Sequence, residues 1–130
     1  MGSFISSLMR VDGTRKDSDH PDVLSFHSAE LFRSHLNSIK DSNQLMVIDF
    51  AASWCGPCKF IEPAVDAMAS EYTDVSFARI DVDELPGVSK EFGVTAMPTF
   101  VLLKGGKEID RVTGAHKNEL KSKIQKYMSA

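Results

Sequence analysis

The hydrophobic positions along the chain change their period several times, and each period predicts a different element. After Ser28, which is a typical helix N-cap residue, apolar residues recur at helical spacing at Phe32, Leu36 and Ile39. Segment 45–51 is almost wholly apolar, which is typical of a central strand that is buried on both faces. A second helix follows, and its inward face would consist of Ile61, Val65, Met68, Ala69 and Tyr72.

The rest of the pattern predicts two further helices and further strands. A first strand is expected near Val23, and segments 75–81, 99–103 and 109–113 also have strand patterns, the last two joined by a glycine turn. A short helix is expected around Val88. The inward face of a final helix would consist of Leu120, Ile124, Tyr127 and Met128. Since helices and strands alternate before a final hairpin, we expect an α/β domain whose mixed sheet is covered by helices.

Composition and charge narrow the range of functions. The chain has 130 residues, of which 42% are hydrophobic and 25% charged, which fits one globular domain. Its net charge of −3 provides no basic surface for nucleic acid, and no apolar run approaches the roughly 18 residues that span a bilayer. Because there are only two cysteines, the chain does not have the composition of a secreted disulfide scaffold, and we expect a reducing, cytoplasmic compartment.

Residues 1–20 differ from the rest, and we expect them to form a flexible extension in front of a domain that covers 21–130. The extension begins with Met1-Gly2-Ser3-Phe4-Ile5-Ser6, which matches the pattern for N-myristoylation of Gly2. A single acyl chain gives only marginal membrane binding, and the balanced charges of the extension add no second signal. Two alternatives stay open, namely a mitochondrial transit peptide, although such peptides avoid aspartate, and a segment without function.

The candidate chemistry lies in Trp54-Cys55-Gly56-Pro57-Cys58, between the buried strand and the second helix. Unpaired N–H groups and the dipole at a helix N-terminus stabilise negative charge, so Cys55 is expected to be a thiolate and the nucleophile. Cys58 would stay protonated until it attacks Cys55 and releases a reduced target. Gly56 would let a target backbone approach, and Pro57 suits the start of a helix.

Two other interpretations of the cysteine pair stay open. A zinc site would need two more ligands, and no two of the four histidines are paired at ligand spacing. Those histidines are His20, His27, His35 and His116. Inert core cysteines would rarely lie in a loop that leads into a helix, so we favour redox chemistry.

Asp49 is a carboxylate within the most apolar strand of the chain. Carboxylates are rarely buried without a partner, and burial raises the pKa of such a group toward neutrality. Near Cys58, it would accept the thiol proton, which makes Asp49 a candidate general base. The alternative is that Asp49 lies at a solvated strand end.

Three segments resemble the thioredoxin family. Residues 47–59 resemble its active-site segment nearly residue for residue, residues 96–100 resemble its cis-proline loop, and residues 112–115 resemble its glycine loop. The similarity covers about residues 23–130. Within this region, the amino-acid sequences of segments 50–55 and 81–85 are similar to those of the plant h-type group.

The resemblance implies a thioredoxin fold, in which a central mixed five-stranded sheet is flanked by four helices. It also implies a protein-disulfide reductase that maintains cell redox homeostasis through a Cys55–Cys58 disulfide, with no bound cofactor. Pro98 would be cis and face that disulfide. The surface that receives targets would consist of Trp54, Gly56, Pro57, Met97, Pro98, Gly114 and Ala115. The partners would be disulfide-containing proteins and an NADPH-dependent thioredoxin reductase, and the default oligomeric state is a monomer.

One position departs from the family pattern. Many members carry a lysine near the buried carboxylate, whereas the matching position here is Arg79. Arginine cannot lose its charge, so the tuning of Asp49 is expected to differ.

Two further functions stay open. An oxidase or isomerase is disfavoured by Pro57, because isomerases of this family usually carry histidine between the cysteines. A redox-independent binding module or holdase would use the apolar surface around Trp54 and Pro98.

Overall fold

A computed structural model describes residues 14–17 and 20–128. These residues form ten elements, which are β1 Thr14–Asp17, β2 His20–Phe26, α1 Ala29–Ile39, β3 Met46–Ala51, α2 Gly56–Glu71, β4 Ser76–Asp81, α3 Pro86–Glu91, β5 Thr99–Lys104, β6 Lys107–Thr113 and α4 Lys117–Met128. Each helix and strand predicted from the hydrophobic pattern is present. Ser28 caps α1 as expected, since its Oγ accepts a hydrogen bond from the N–H of Leu31 at 3.2 Å.

The strands form one mixed sheet in the order β1-β2-β4-β3-β5-β6. Strands β2 and β3 both run parallel to β4, whereas β5 is antiparallel to β3 and β6 is antiparallel to β5. Strands β2 to β6 are the five that the resemblance implies, and the four helices of the described residues complete the expected α/β fold.

Strand β1 adds a sixth strand within the segment predicted to be a flexible extension. Its backbone pairs antiparallel with β2, from Thr14 opposite Phe26 to Asp17 opposite His20. The edge of a sheet exposes unpaired N–H and C=O groups, and β1 provides partners for those of β2. The division of the chain into an extension and a domain stays a prediction.

Side chains of a strand alternate between the two faces of its sheet, and each face here packs against helices. On one face, Val47 belongs to a cluster with Val65 of α2 and Ile124 of α4. On the other face, Ile48 belongs to a cluster with Phe32 of α1 and Val88 of α3. Strand β3 is therefore covered on both faces, as its apolar sequence predicts.

The prediction for the last helix is wrong at one position. Leu120 and Ile124 are buried and Tyr127 packs against the same cluster, but the side chain of Met128 is exposed. Met128 is the final residue of α4, and chain ends pack less fully than the elements that precede them.

Candidate active site

The cysteine pair lies where the chain passes from β3 into α2. Cys55 is the N-cap residue of α2, and Pro57 lies in the first turn, as its fixed φ predicts. A disulfide joins Cys55 to Cys58, with the two Cα atoms 5.3 Å apart. The backbone N–H of Cys58 donates a hydrogen bond to Sγ of Cys55 at 3.1 Å. Sγ of Cys55 thus lies where the N–H groups of a helix N-terminus favour negative charge.

Both cysteines are enclosed by apolar neighbours. Cys55 and Cys58 are each 4% exposed, and they pack with Ala52, Val82 and Met97. Each sulfur is bonded to the other in a disulfide, which is the oxidised form of a redox-active cysteine pair. Across residues 14–17 and 20–128, no group of three or more His, Cys, Asp and Glu side chains is placed to hold a metal ion.

The loop in front of β5 borders the disulfide. The Met97–Pro98 peptide bond is cis, as the resemblance implies. The carbonyl oxygen of Met97 lies 3.7 Å from Sγ of Cys55, and the carbonyl oxygen of Pro98 accepts a hydrogen bond from the N–H of Gly114 at 2.8 Å. The fold therefore brings the cis-proline loop to the cysteines and the glycine loop to the cis-proline loop.

The other candidate target-binding residues differ in how much surface they offer. Trp54 is 66% exposed, and Gly56 is exposed with no atom within 4 Å of the position that a Cβ would take. Ala115, by contrast, packs against the core. The Nε1–H of Trp54 donates a hydrogen bond to Oδ2 of Asp83 at 2.8 Å. Sequence reasoning missed Asp83, for which the only signal was an acidic run directly after β4.

Asp49 points to the sheet face that α2 and α4 cover, because it lies two residues after Val47 on β3. It is 4% exposed, so the alternative of a solvated strand end is wrong. Strands β3 and β4 place Asp49 opposite Arg79, and Nε of Arg79 donates a hydrogen bond to Oδ2 of Asp49 at 3.3 Å. The arginine is therefore adjacent to the buried carboxylate, as its alignment with the family lysine predicts.

The environment of Asp49 makes its carboxyl group titrate near neutrality. Burial raises the pKa of Asp49 to about 6, and the charge and hydrogen bond of Arg79 oppose this rise without cancelling it. The negative charges of Glu62 and Asp66 add to the rise. Oδ1 of Asp49 has no hydrogen-bond partner among the described residues. One buried oxygen is therefore uncommitted to any hydrogen bond in this part of the chain.

Arg79 belongs to a row of charged side chains that extends from Asp49 to the start of β2. Nη2 of Arg79 lies 3.9 Å from Oδ1 of Asp66 on α2. Oδ2 of Asp66 lies 2.6 Å from Nδ1 of His20, whose Nε2 lies 3.5 Å from Oε1 of Glu62. Sequence reasoning missed this row beyond Arg79. The only signal was the spacing of Glu62 and Asp66, which places both on one face of α2.

The acylation candidate Gly2 lies outside the described residues. Among the helices that the structure does describe, none is both long and apolar enough to cross a membrane.

Comparison with known proteins places the chain in a family. The family model described as Thioredoxin matches residues 23–126. Thioredoxin H2 of Arabidopsis thaliana is 58% identical over 110 residues, which cover 85% of this chain and 83% of the relative. Thioredoxin H2-2 of Oryza sativa subsp. japonica is 46% identical over 131 residues, which cover 100% of this chain and 98% of the relative. The crystal structure of thioredoxin NaTrxh from Nicotiana alata has a TM-score of 0.81 and 58% identity, and the match covers 82% of this chain and 93% of that chain.

The chain therefore belongs to the thioredoxin family, and the resemblance to the plant h-type group is confirmed. It is a thiol–disulfide oxidoreductase, and its redox-active group is the Cys55–Cys58 disulfide. Its reaction is the reduction of protein disulfides by dithiol–disulfide exchange at this pair.

Proposed function

We propose that Cys55 is the nucleophile and Cys58 the resolving cysteine of this exchange. The Cys55 thiolate attacks one sulfur of a target disulfide, whose S–S bond breaks, and the other target sulfur leaves as a thiolate. Cys58 then loses its proton and attacks Sγ of Cys55, so that the mixed disulfide breaks and the second target thiolate leaves. Two electrons pass to the target, whose thiolates take up two protons, and the Cys55–Cys58 disulfide forms.

The N-cap position of Cys55 is the observation that carries this assignment. The N–H of Cys58 donates to Sγ of Cys55 at 3.1 Å, and the N-terminal end of the α2 dipole adds to the stabilisation of negative charge there. Cys58 lies inside the first turn of α2, and the N–H that donates to Sγ of Cys55 belongs to the backbone of Cys58 itself. In the reduced protein, this position would favour the thiolate at Cys55 rather than at Cys58.

Asp49 is the group that would take the proton of Cys58 during resolution. Three features support this role: the carboxyl is buried, its pKa is raised to about 6, and its Oδ1 has no hydrogen-bond partner within residues 14–17 and 20–128. A base of this pKa is mostly ionised at pH 7 and still basic enough to accept a proton, which is what general base catalysis requires.

Targets would bind on the surface beside the disulfide. The exposed side chain of Trp54 and the open space at Gly56 support this location, as does the contact of Met97 with Cys55. The target-binding residues would be Trp54, Gly56, Pro57, Met97, Pro98, Gly114 and Ala115. Loss of binding in Trp54→Ala with unchanged reactivity of Cys55 toward a small disulfide would support this surface.

The partners of the reaction are further parts of the proposal. Targets would be disulfide-containing proteins of the cytoplasm, the electron donor would be an NADPH-dependent thioredoxin reductase, and the protein would act as a monomer. Acylation of Gly2 would add weak, reversible membrane association. A mass spectrum of protein from its native cell should show a myristoyl adduct on Gly2, whereas a shortened chain would support a transit peptide.

Insulin reduction with two cysteine variants tests the assignment of the sulfurs. Cys55→Ser should abolish reduction, while Cys58→Ser should form a mixed disulfide that accumulates because nothing resolves it. Ser53→Ala, a change in the same loop that leaves both sulfurs intact, is the matched control and should retain activity. An active Cys55→Ser protein, or a trapped adduct on Cys58 in that variant, would contradict the proposed roles.

Rapid-mixing kinetics of the resolution step tests Asp49. In Asp49→Asn, we expect resolution at neutral pH to slow by roughly tenfold to a hundredfold, because a buried general base is lost. The rate in the unchanged protein should also fall as the pH drops through about 6, and the variant should lack this inflection. Equal rates and equal pH profiles would remove Asp49 from the mechanism.

A further inference from the structure

His20 connects the start of β2 to the charged groups behind the active site. Its Nδ1 lies 2.6 Å from Oδ2 of Asp66, and its Nε2 lies 3.5 Å from Oε1 of Glu62, so both ring nitrogens face carboxylates of α2. The backbone of β1 pairs with β2 in the sheet, with Asp17 opposite His20 in the strand register. This histidine lies outside the thiol–disulfide machinery described above, yet it contacts a residue that contacts Arg79.

Two carboxylates face the guanidinium of Arg79. Nε donates to Asp49 at 3.3 Å, while Nη2 lies 3.9 Å from Oδ1 of Asp66. Within the described residues, neither Nη2 of Arg79 nor Oδ1 of Asp66 has a hydrogen-bond partner. Arg79 is only 14% exposed on its side chain, so water screens these charges less than it would at the surface. The guanidinium therefore lies near two carboxylates, and one of them, Asp66, also contacts His20.

We propose that His20 is a positioning residue for the exchange reaction, because by engaging Asp66 it leaves the guanidinium of Arg79 against the carboxylate of Asp49. The inference deepens the proposed function and rests on the role of Asp49 as the proton acceptor of Cys58. His20 is the last residue of the predicted extension, so its contacts would connect that extension to the active site through Asp66 of α2 and Arg79 of β4.

The geometry determines the sign of each change. Without His20, Asp66 attracts Arg79 more strongly, so Asp49 loses part of its counter-charge and its pKa rises above the value that burial and Arg79 now set. Without the charge of Asp66, Arg79 pairs with Asp49 alone, and the pKa of Asp49 falls because a nearby negative charge is also removed. Glu62 is the other carboxylate that faces this cluster, and neither variant removes its negative charge.

The direction of each pKa shift is measured by titrating Asp49 in the full-length oxidised protein, with the NMR signal of its carbon-13-labelled carboxyl group as the readout. We expect His20→Ala to move the midpoint upward and Asp66→Asn to move it downward. In the double variant His20→Ala/Asp66→Asn, the midpoint should equal that of Asp66→Asn, since His20 acts through Asp66. Resolution at pH 6 should be slower by about threefold in His20→Ala and should approach the unchanged rate at alkaline pH.

Two further variants separate positioning from loss of packing. His20→Asn keeps a donor near the place of Nδ1, so it should restore the Asp49 midpoint of the unchanged protein. His27→Ala is the matched control, because His27 also lies 2.6 Å from a carboxylate, Glu84, but outside this row of charges. Its Asp49 midpoint should not move.

A midpoint that is unchanged in His20→Ala would overturn the inference, and so would shifts of the same sign in His20→Ala and Asp66→Asn. A midpoint in His20→Asn equal to that in His20→Ala would also overturn it. These results do not depend on kinetics, so they are distinct from a failure of the proposed function, in which Asp49→Asn resolves mixed disulfides at the normal rate.

Discussion

Both faces of β3 are buried, but the side chains on the two faces differ in polarity. The face toward α1 and α3 is apolar, with Ile48 and Phe50 both fully buried in one cluster. The face toward α2 and α4 contains Asp49 between its apolar neighbours, with Arg79 beside it on β4. Among the described residues, the same strand therefore packs against an apolar cluster on one face and carries one member of a charged pair on the other.

This difference separates what stability needs from what the reaction needs. Apolar burial contributes roughly 25 cal/mol per Å², and on the face toward α1 and α3 the described residues form an apolar cluster. A buried ion pair is often no more stabilising than apolar residues of similar volume. Burial of Asp49, with its pKa raised to about 6, is thus an unfavourable term for folding, and the proton transfer proposed for Cys58 would account for its presence.

The largest expected effect comes from placing a carboxylate on the apolar face. Ile48→Asp would bury a carboxylate in a place where the described residues form an apolar cluster. We expect a loss of roughly 5 kcal/mol or more, enough to abolish the cooperative urea transition at pH 7. The control Ile48→Val should lose only about 1 kcal/mol. If Ile48→Asp unfolds cooperatively with a loss below about 2 kcal/mol, the two faces tolerate charge equally.

The next effect concerns the stability of Asp49→Asn as the pH changes. The pKa of Asp49 in the folded protein is about 6, above the ordinary value of 3.8, so folding favours the protonated form. The stability of the unchanged protein therefore falls as the pH rises from 3.8 to 6, by about 3 kcal/mol from this group. Asp49→Asn lacks this loss, so its stability relative to the unchanged protein should increase over that interval and then level off.

Urea unfolding at a series of pH values measures this change, with the exposed Asp74→Asn as the control. The Asp74→Asn protein should follow the unchanged protein through the interval. A constant difference between Asp49→Asn and the unchanged protein from pH 3.8 to above 6 would contradict the raised pKa of Asp49.

A smaller effect is expected from exchanging the counter-charge. Arg79→Met removes the charge and hydrogen bond that hold down the pKa of Asp49, so fewer Asp49 groups are ionised at pH 7 and resolution should slow by about threefold to tenfold. Arg79→Lys keeps the charge and should retain most of the rate. Rapid-mixing measurements across the pH range test both variants. If Met and Lys at this position give the same profile, the charge of Arg79 does not tune Asp49.

The smallest effect is expected at the exposed rim of the site. Asp83→Ala removes the acceptor of the Trp54 indole, an exposed hydrogen bond that is worth about 0.5–1 kcal/mol. We expect a rise of about twofold to fivefold in KM for a protein disulfide, with little change in kcat, since the sulfurs are untouched. Asp74→Ala, which changes an exposed aspartate elsewhere, should leave both constants unchanged. A fall in kcat alone for Asp83→Ala would contradict a role limited to target binding.

Sequence reasoning reached the elements and the cysteines because both depend on local pattern. The burial of β3 follows from its apolar run, and the start of α2 follows from Pro57 after Cys55. The cluster behind Asp49 could not be predicted in this way. Asp66 and His20 are 46 residues apart, and their contact depends on how α2 lies across the start of β2.

The sixth strand was missed for a different reason. The sequence of Thr14–Asp17 has no apolar alternation, and its strand conformation comes from backbone pairing with the edge of β2. Such pairing depends on a neighbour that only the folded sheet provides. Arg79, in contrast, could be placed beside Asp49 from the family pattern, because paired positions on adjacent strands lie on one face.

The proposed reaction depends on a negative charge on Cys55, and the alkylation rate of Cys55 as a function of pH measures that charge. In the reduced protein, Cys58→Ser leaves Cys55 as the sole thiol. We predict that the alkylation of Cys55 by iodoacetamide has a pH midpoint well below that of a free cysteine, which is about 8.5. A midpoint at or above that of a free cysteine would contradict the claim that the start of α2 holds this sulfur as an anion.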